Sequence, residues 1–162
     1  VGGIDATVHG VPEWGAAIDA VMARVDRETD RGMRESLRIV ERSYKKILRT
    51  YTHPEGTPTT SPPGQPPALV TGTLMRSVKS RGPRPGRRRY VYVGEVGPTA
   101  VYARIQDLGG RVRSRNRGHV GPQTEHSYTR IPARPYAKPA TDRVRRDVRR
   151  VFQRRWGAAL TA

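Results

Sequence analysis

The chain has 162 residues, with 31 Lys and Arg against 14 Asp and Glu, a net charge of +17 and no cysteine. That length suits one domain of about 100–200 residues, and the missing cysteines exclude disulfide frameworks, thiol nucleophiles and Cys-ligated metal sites. A hydrophobic share of 35% with one Phe and two Trp predicts a thin core that gains from burial against a partner; no apolar run nears the roughly 18 residues of a membrane span, and the opening VGGIDATVHG does not read as a signal peptide.

Residues 13–50 predict one long helix or two in series. Trp14, Ile18, Val21, Val25, Met33, Leu37, Val40, Tyr44 and Ile47 recur at helical spacings apart from the gap before Met33, where Gly32 offers a kink. Pro12 suits a first helical turn. Glu28–Arg31, Glu35–Arg38 and Glu41–Lys45 are spaced as helical ion pairs on the polar side, so this element reads as scaffold. HPEGTPTTSPPGQPP, residues 53–67, carries six prolines and two glycines and reads as a loop or extended arm. Gly72 then marks a turn, and Leu74, Met75 and Val78 predict a helical turn entering a strand. RGPRPGRRR, residues 81–89, reads as a basic, turn-rich loop.

YVYVGEV, residues 90–96, is the clearest strand, with Val91 and Val93 expected to face the core. VYARIQDLGG predicts a short helix stopped by Gly109–Gly110, its apolar face made of Val101, Ile105 and Leu108. Residues 111–127 read as a basic loop able to hold a ragged hairpin, SYTRIPARPY as an edge strand ended by proline, and residues 136–156 as an Arg-rich helix with Ala137, Ala140, Val144, Val148, Val151 and Phe152 or Trp156 as its apolar stripe. The fold class is α+β: a small antiparallel sheet against a long N-terminal helix and a basic C-terminal helix, with a short helix between strands.

Residues 81–162 hold +15 of the +17. Such a field favours polyanions and salt-sensitive association. Arg87, Arg88, Arg89, Arg111, Arg113, Arg115 and Arg117 are the candidate DNA-facing or subunit-interface residues, the second option being that they meet acidic protein. Tyr90, Tyr92 and Tyr102 are too few for a base-stacking platform. His9, His53, His119 and His126 form no metal-ligand pattern, the serines sit in no nucleophile elbow, and the glycines match neither a P-loop nor a dinucleotide fingerprint. No catalytic, cofactor-binding or metal residue is assigned, and no enzyme activity is expected.

Three segments carry a resemblance. PPGQPPALVTGTLMRSV (62–78) is similar to a "P-P…TG-x-L-x-x-S" stretch through Thr71, Gly72, Leu74 and Ser77. VYARIQDLGG (101–110) is similar to "YA…(V/I)E(F/Y)G" through Tyr102, Ala103, Ile105 and Gly109, with Gln106–Asp107–Leu108 in place of the acidic–aromatic pair. IPARPYAKPATD (131–142) is similar to "(I/V)PARPF(L/M)-x-PAL" through Pro132, Ala133, Arg134, Pro135, Tyr136, Pro139 and Ala140. In this order the segments resemble the HK97 gp10-like family of tailed-bacteriophage head–tail joining, tail-completion or neck proteins.

The resemblance implies a single tail-completion-like domain over 1–162, with the Pro-rich arm at 53–67 and the basic loop at 111–127. It implies a non-enzymatic virion structural protein without cofactors, made in the host bacterial cytoplasm and placed at the head–tail junction. Its implied partners are further copies in a ring, six-fold or 12-fold, around the DNA exit channel; a head-side adaptor or stopper; and a tail tube or tail terminator. Contact with genomic DNA would be non-specific, and no membrane is implied. A sequence-nonspecific, non-enzymatic nucleic-acid-binding protein is the alternative. For the third segment, Tyr136 is expected to pack beneath the sheet and Arg134 to reach a carboxylate or backbone carbonyls.

Overall fold

The computed structural model describes residues 11–52, 61–88, 90–113 and 128–161. The architecture is α+β. Helix α1 (Val11–Ile47) leads into a short helix α2 (Thr73–Arg76), hairpin β1 (Val78–Pro85) and β2 (Tyr92–Pro98), helix α3 (Ala103–Leu108), hairpin β3 (Gly110–Arg113) and β4 (Tyr128–Ile131), and helix α4 (Ala137–Thr161).

α1 runs unbroken for 37 residues, the single-helix alternative, and the kink that Gly32 offers does not form. The glycine serves packing instead. A Cβ at Gly32 would sit 3.2 Å from the Phe152 ring of α4, so the missing side chain lets the two helices approach. α4 lies antiparallel to α1. Ser43 Oγ donates to Ala140 O at 2.8 Å near one end, and Arg155 bridges Glu28 and Glu35 near the other. Arg154 also pairs with Glu35, and the Trp156 indole N–H donates to Thr29 Oγ1 at 2.9 Å. The buried α4 stripe is Ala140, Val144, Val151 and Ala159, close to the predicted one but extended by a turn.

The strands form two separate two-stranded antiparallel sheets, not one small sheet. β1 extends through Arg81–Pro85, which the sequence reads as loop, and absorbs the Gly-Pro-rich stretch by a register shift between Arg81 and Arg84. In β2 the expected faces are reversed. Val91 and Val93 are exposed, whereas Tyr92, Gly94 and Val96 are half-buried. Gly94 decides this, because a Cβ there would lie 2.8 Å from Leu37 Cδ2; only a bare backbone allows α1 that close. The apolar face predicted for α3 also fails at its ends. Val101 is 99% exposed and Leu108 64% exposed.

The core is small. Tyr44, Ile47 and Leu48 at the end of α1 pack with Val78, Tyr136 and Ala140, and Val40, Leu74, Met75, Val96 and Ala137 close around them. No described helix is long and apolar enough to cross a membrane.

Candidate interaction site

The three motif segments converge beside this core. Gly109 ends α3 at φ 68°, and a Cβ there would lie 2.7 Å from Ala133 N. Glycine is therefore required for the PAR segment to lie against the α3 turn. The Arg134 amide donates to Gln106 O at 2.8 Å, fixing the strand-like approach that Pro135 imposes on the residue before it. Arg134 is buried, and its Nε donates to Ser61 O at 2.9 Å. Gly64 N in turn donates to Ala133 O at 2.9 Å. The expectation that Arg134 reaches a backbone carbonyl thus holds, and residues 61–67 are docked, with Ser61 and Pro67 buried. That corrects the reading of 53–67 as an unpacked arm for its second half; residues 53–60 lie outside the described residues.

Tyr136 is 2% exposed. Its ring meets Tyr44 edge-on, with centroids 6.2 Å apart, and its hydroxyl donates to Ala103 O at 3.0 Å. It therefore lies between α1 and α3, packed in one cluster with Val78 of β1 and Val96 of β2. Burial, reinforced by the neighbouring Asp107 carboxylate, pushes its phenol well above the ordinary value. Pro132 and Pro135 flank Ala133–Arg134, and Pro139 falls in the first turn of α4, where no amide hydrogen is required of it.

In the first segment, Gly72 adopts φ 72° and caps α2. Ser77 Oγ donates to Leu74 O at 2.7 Å, and Ser77 O accepts from Thr99 N at 3.0 Å, tying α2 to the end of β2. Leu74, Met75, Gly72, Tyr102, Ser61 and Arg134 border one cavity of about 200 Å³. The ring of Tyr102 and the rim threonines Thr71 and Thr73 are exposed, so the cavity opens to solvent.

Two residues were missed from sequence. Asp107 accepts from Tyr136 N at 2.8 Å and Ala137 N at 3.0 Å with one carboxylate oxygen, so it caps α4 from another helix. Ser61 supplies the carbonyl for Arg134. Capping motifs are sought next to their own helix, and Asp107 lies about thirty positions away from α4 in the chain.

The candidate arginines do not form one cluster in the described residues. Arg87 and Arg88 are exposed at the tip of the β1–β2 hairpin, the end where Tyr92 meets Asp26 of α1. Arg111 and Arg113 are exposed on β3, which departs beside the motif junction; Arg111 lies over the Tyr128 ring at 5.0 Å. By helix rise, Asp26 and Tyr44 are about 27 Å apart along α1, so the tip of the β1–β2 hairpin, with Arg87 and Arg88, lies well away from the motif junction where β3 begins. Arg89, Arg115 and Arg117 lie outside the described residues, as do the histidines. A third basic surface is the outer side of α4, where Arg143, Arg145, Arg146 and Arg149 are exposed. Among the described residues no group of three or more His, Asp or Glu could hold a metal ion.

No family model, curated protein or solved structure matches this chain.

Proposed function

We propose that this chain is a non-enzymatic structural subunit of a macromolecular assembly. More particularly, it is a bacteriophage neck protein of the head–tail junction, self-associating in a ring around the DNA channel between head-side and tail-side proteins. The observation that carries this reading is the convergence of the three resemblance segments. Residues 62–78, 101–110 and 131–142 are separated in sequence, yet Gly109, Ala133, Arg134 and Tyr136 lock them together through atoms that leave little tolerance. The prolines and glycines of these segments build a junction next to an open cavity. The outward arginines of α4 support a phosphate-facing surface indifferent to sequence, because among the described residues no base-reading element accompanies them.

The test is a reconstruction of particles carrying this chain. Density for it in a closed ring on the neck axis is expected, and its deletion should leave full heads and free tails unjoined. Absence of the chain from purified particles, or a single copy off the axis, would overturn the reading. The same arginines favour one second reading, a sequence-nonspecific nucleic-acid-binding protein outside any particle; duplex binding combined with absence from particles would select it.

A further inference from the structure

The N-terminal end of α1 extends past the described residues of α4. Ser43 faces Ala140, Gly32 faces Phe152 and Glu28 faces Arg155, a register advancing about one residue for one. Thr161, the last described residue of α4, therefore falls opposite roughly position 22 of α1, and among the described residues no helix faces the three turns before it. Residues 13–20 are all exposed. On the face that continues the α1–α4 seam, Trp14 is 74% exposed and Ile18 56% exposed. Glu13 and Asp19 lie on either side of this pair, and neither has an ion-pair partner among the described residues.

About 50 Å away along α1, beyond its other end, lies the cavity at the motif junction. Its volume is about 200 Å³, and an apolar cavity of roughly 150 Å³ is enough to hold a benzene ring. Ser61 lines it, and its buried Oγ has no hydrogen-bond partner among the described residues. Leu48, Leu69, Leu74 and Met75 supply apolar wall, and Thr71 and Gln106 supply polar edge, a lining that suits an aromatic ring with one polar edge. Basic side chains stand at the rim. Arg49 Nε reaches Met75 Sδ, and Arg76 Nη1 lies over Gly72; neither has a carboxylate partner among the described residues.

We infer that the Trp14 end of α1 from one copy docks into the Ser61 cavity of the next, the indole ring seated in the cavity mouth while Glu13 and Asp19 meet Arg49 and Arg76. The chain has two tryptophans. Trp156 already donates its indole N–H to Thr29, so Trp14 is the one with an N–H to give. Knob and pocket sit at opposite ends of the molecule, so the contact is head-to-tail and generates a closed ring or an open filament according to the rotation per copy. This deepens the ring proposed above and rests on self-association, not on location in a particle.

The absence of cysteine permits a direct test. Ala17→Cys beside the knob and Thr71→Cys at the pocket mouth are made in separate chains, mixed at about 100 μM, where any contact with Kd near 10 μM is populated, and oxidised. The expected product is the A17C–T71C heterodimer, in about tenfold excess over either homodimer. Adding Trp14→Ala to the A17C chain should raise the apparent Kd about tenfold, as loss of a buried aromatic anchor does, which at this concentration about halves the yield, while leaving the thermal melt of the chain unchanged. Arg76→Glu should lower the yield several-fold, and Glu13→Lys in the partner should restore it. Dominant A17C homodimers, a statistical mixture, no cross-linking, or a yield indifferent to Trp14 would each overturn the docking. Cross-linking without particle association keeps the interface and removes the neck reading. A neck ring lacking this cross-link does the reverse.

Discussion

Asp107 of α3 and Tyr136 at the start of α4 are joined twice over. One carboxylate oxygen of Asp107 accepts the Tyr136 amide at 2.8 Å and the Ala137 amide at 3.0 Å, while the Tyr136 hydroxyl returns to α3 at Ala103 O. A helix N-terminus presents unsatisfied amides and a partial positive charge, and here a residue of another element satisfies them. The pair makes the orientation of α4 depend on α3.

Tyr136 should be the most sensitive position in the junction. Tyr136→Ala is expected to cost about 3–5 kcal/mol, by loss of a fully buried ring. Tyr136→Phe should cost about 1–2 kcal/mol, because Ala103 O loses its buried donor. Chemical denaturation of the two variants checks both values, and a loss below about 1 kcal/mol for Tyr136→Ala would contradict the buried position.

Removing the cap should cost less. Asp107→Ala is expected to lower stability by about 1–2 kcal/mol, the usual range for a lost N-cap, whereas Asp107→Asn should retain most of it because an amide oxygen still accepts. Hydrogen exchange of the Tyr136 and Ala137 amides should accelerate in the alanine variant and stay near the parent in the asparagine variant.

Gly109→Ala should destabilise by about 2 kcal/mol or more, because strain at positive φ is added to a backbone clash. The new Cβ would meet Ala133 N at 2.7 Å and Ile131 O at 2.9 Å. Gly97→Ala is the control, since nothing lies within 4 Å of a Cβ there. Thermal melts of the two variants should separate clearly, with only Gly109→Ala falling steeply.

The clamp between α1 and α4 makes stability pH-dependent. The Arg155 and Arg154 guanidiniums hold the Glu35 carboxyl below its ordinary value near 4.5. At Glu28 partial burial opposes ionisation, but Arg31 and Arg155 outweigh it and the value is again lowered. A carboxyl depressed in the folded state binds its proton more readily when unfolded, so its stabilisation is complete above the ordinary value and is lost as pH falls through the folded one. Stability should therefore decline below about pH 4.5, and a Glu28→Gln, Glu35→Gln double variant should show a shallower decline. Denaturant midpoints followed from neutral to acidic pH supply the comparison.

The basic surface should bind duplex DNA without regard to sequence, with affinity falling steeply between about 50 and 200 mM salt. Reversing Arg143, Arg145, Arg146 and Arg149 should flatten that dependence, measured as the slope of log affinity against log salt. Reversal of Arg111 and Arg113 reports separately on the β3 hairpin. In particles, abnormal DNA retention with joined tails would indicate DNA contact, whereas separated heads and tails would indicate protein contact.

By itself the sequence determined the elements whose signal is local. The apolar recurrence from Trp14 to Ile47 and the stripe from Ala140 to Val151 define two amphipathic helices because burying one face requires that period. Gly72 and Gly109 mark turns because their backbones need positive φ, and the α+β class follows from the order of these signals. What only the tertiary structure decided depends on close approach between distant residues. Gly32 is a packing site for Phe152 and not a kink. Gly94 turns Tyr92 and Val96, not Val91 and Val93, toward α1, since the side of a strand that is buried depends on what lies against it. Asp107 caps a helix it does not belong to, and Ser61 reaches Arg134 from across the chain. No local pattern encodes such partners, because a hydrogen bond over long sequence separation is specified by the packing that brings its two ends together.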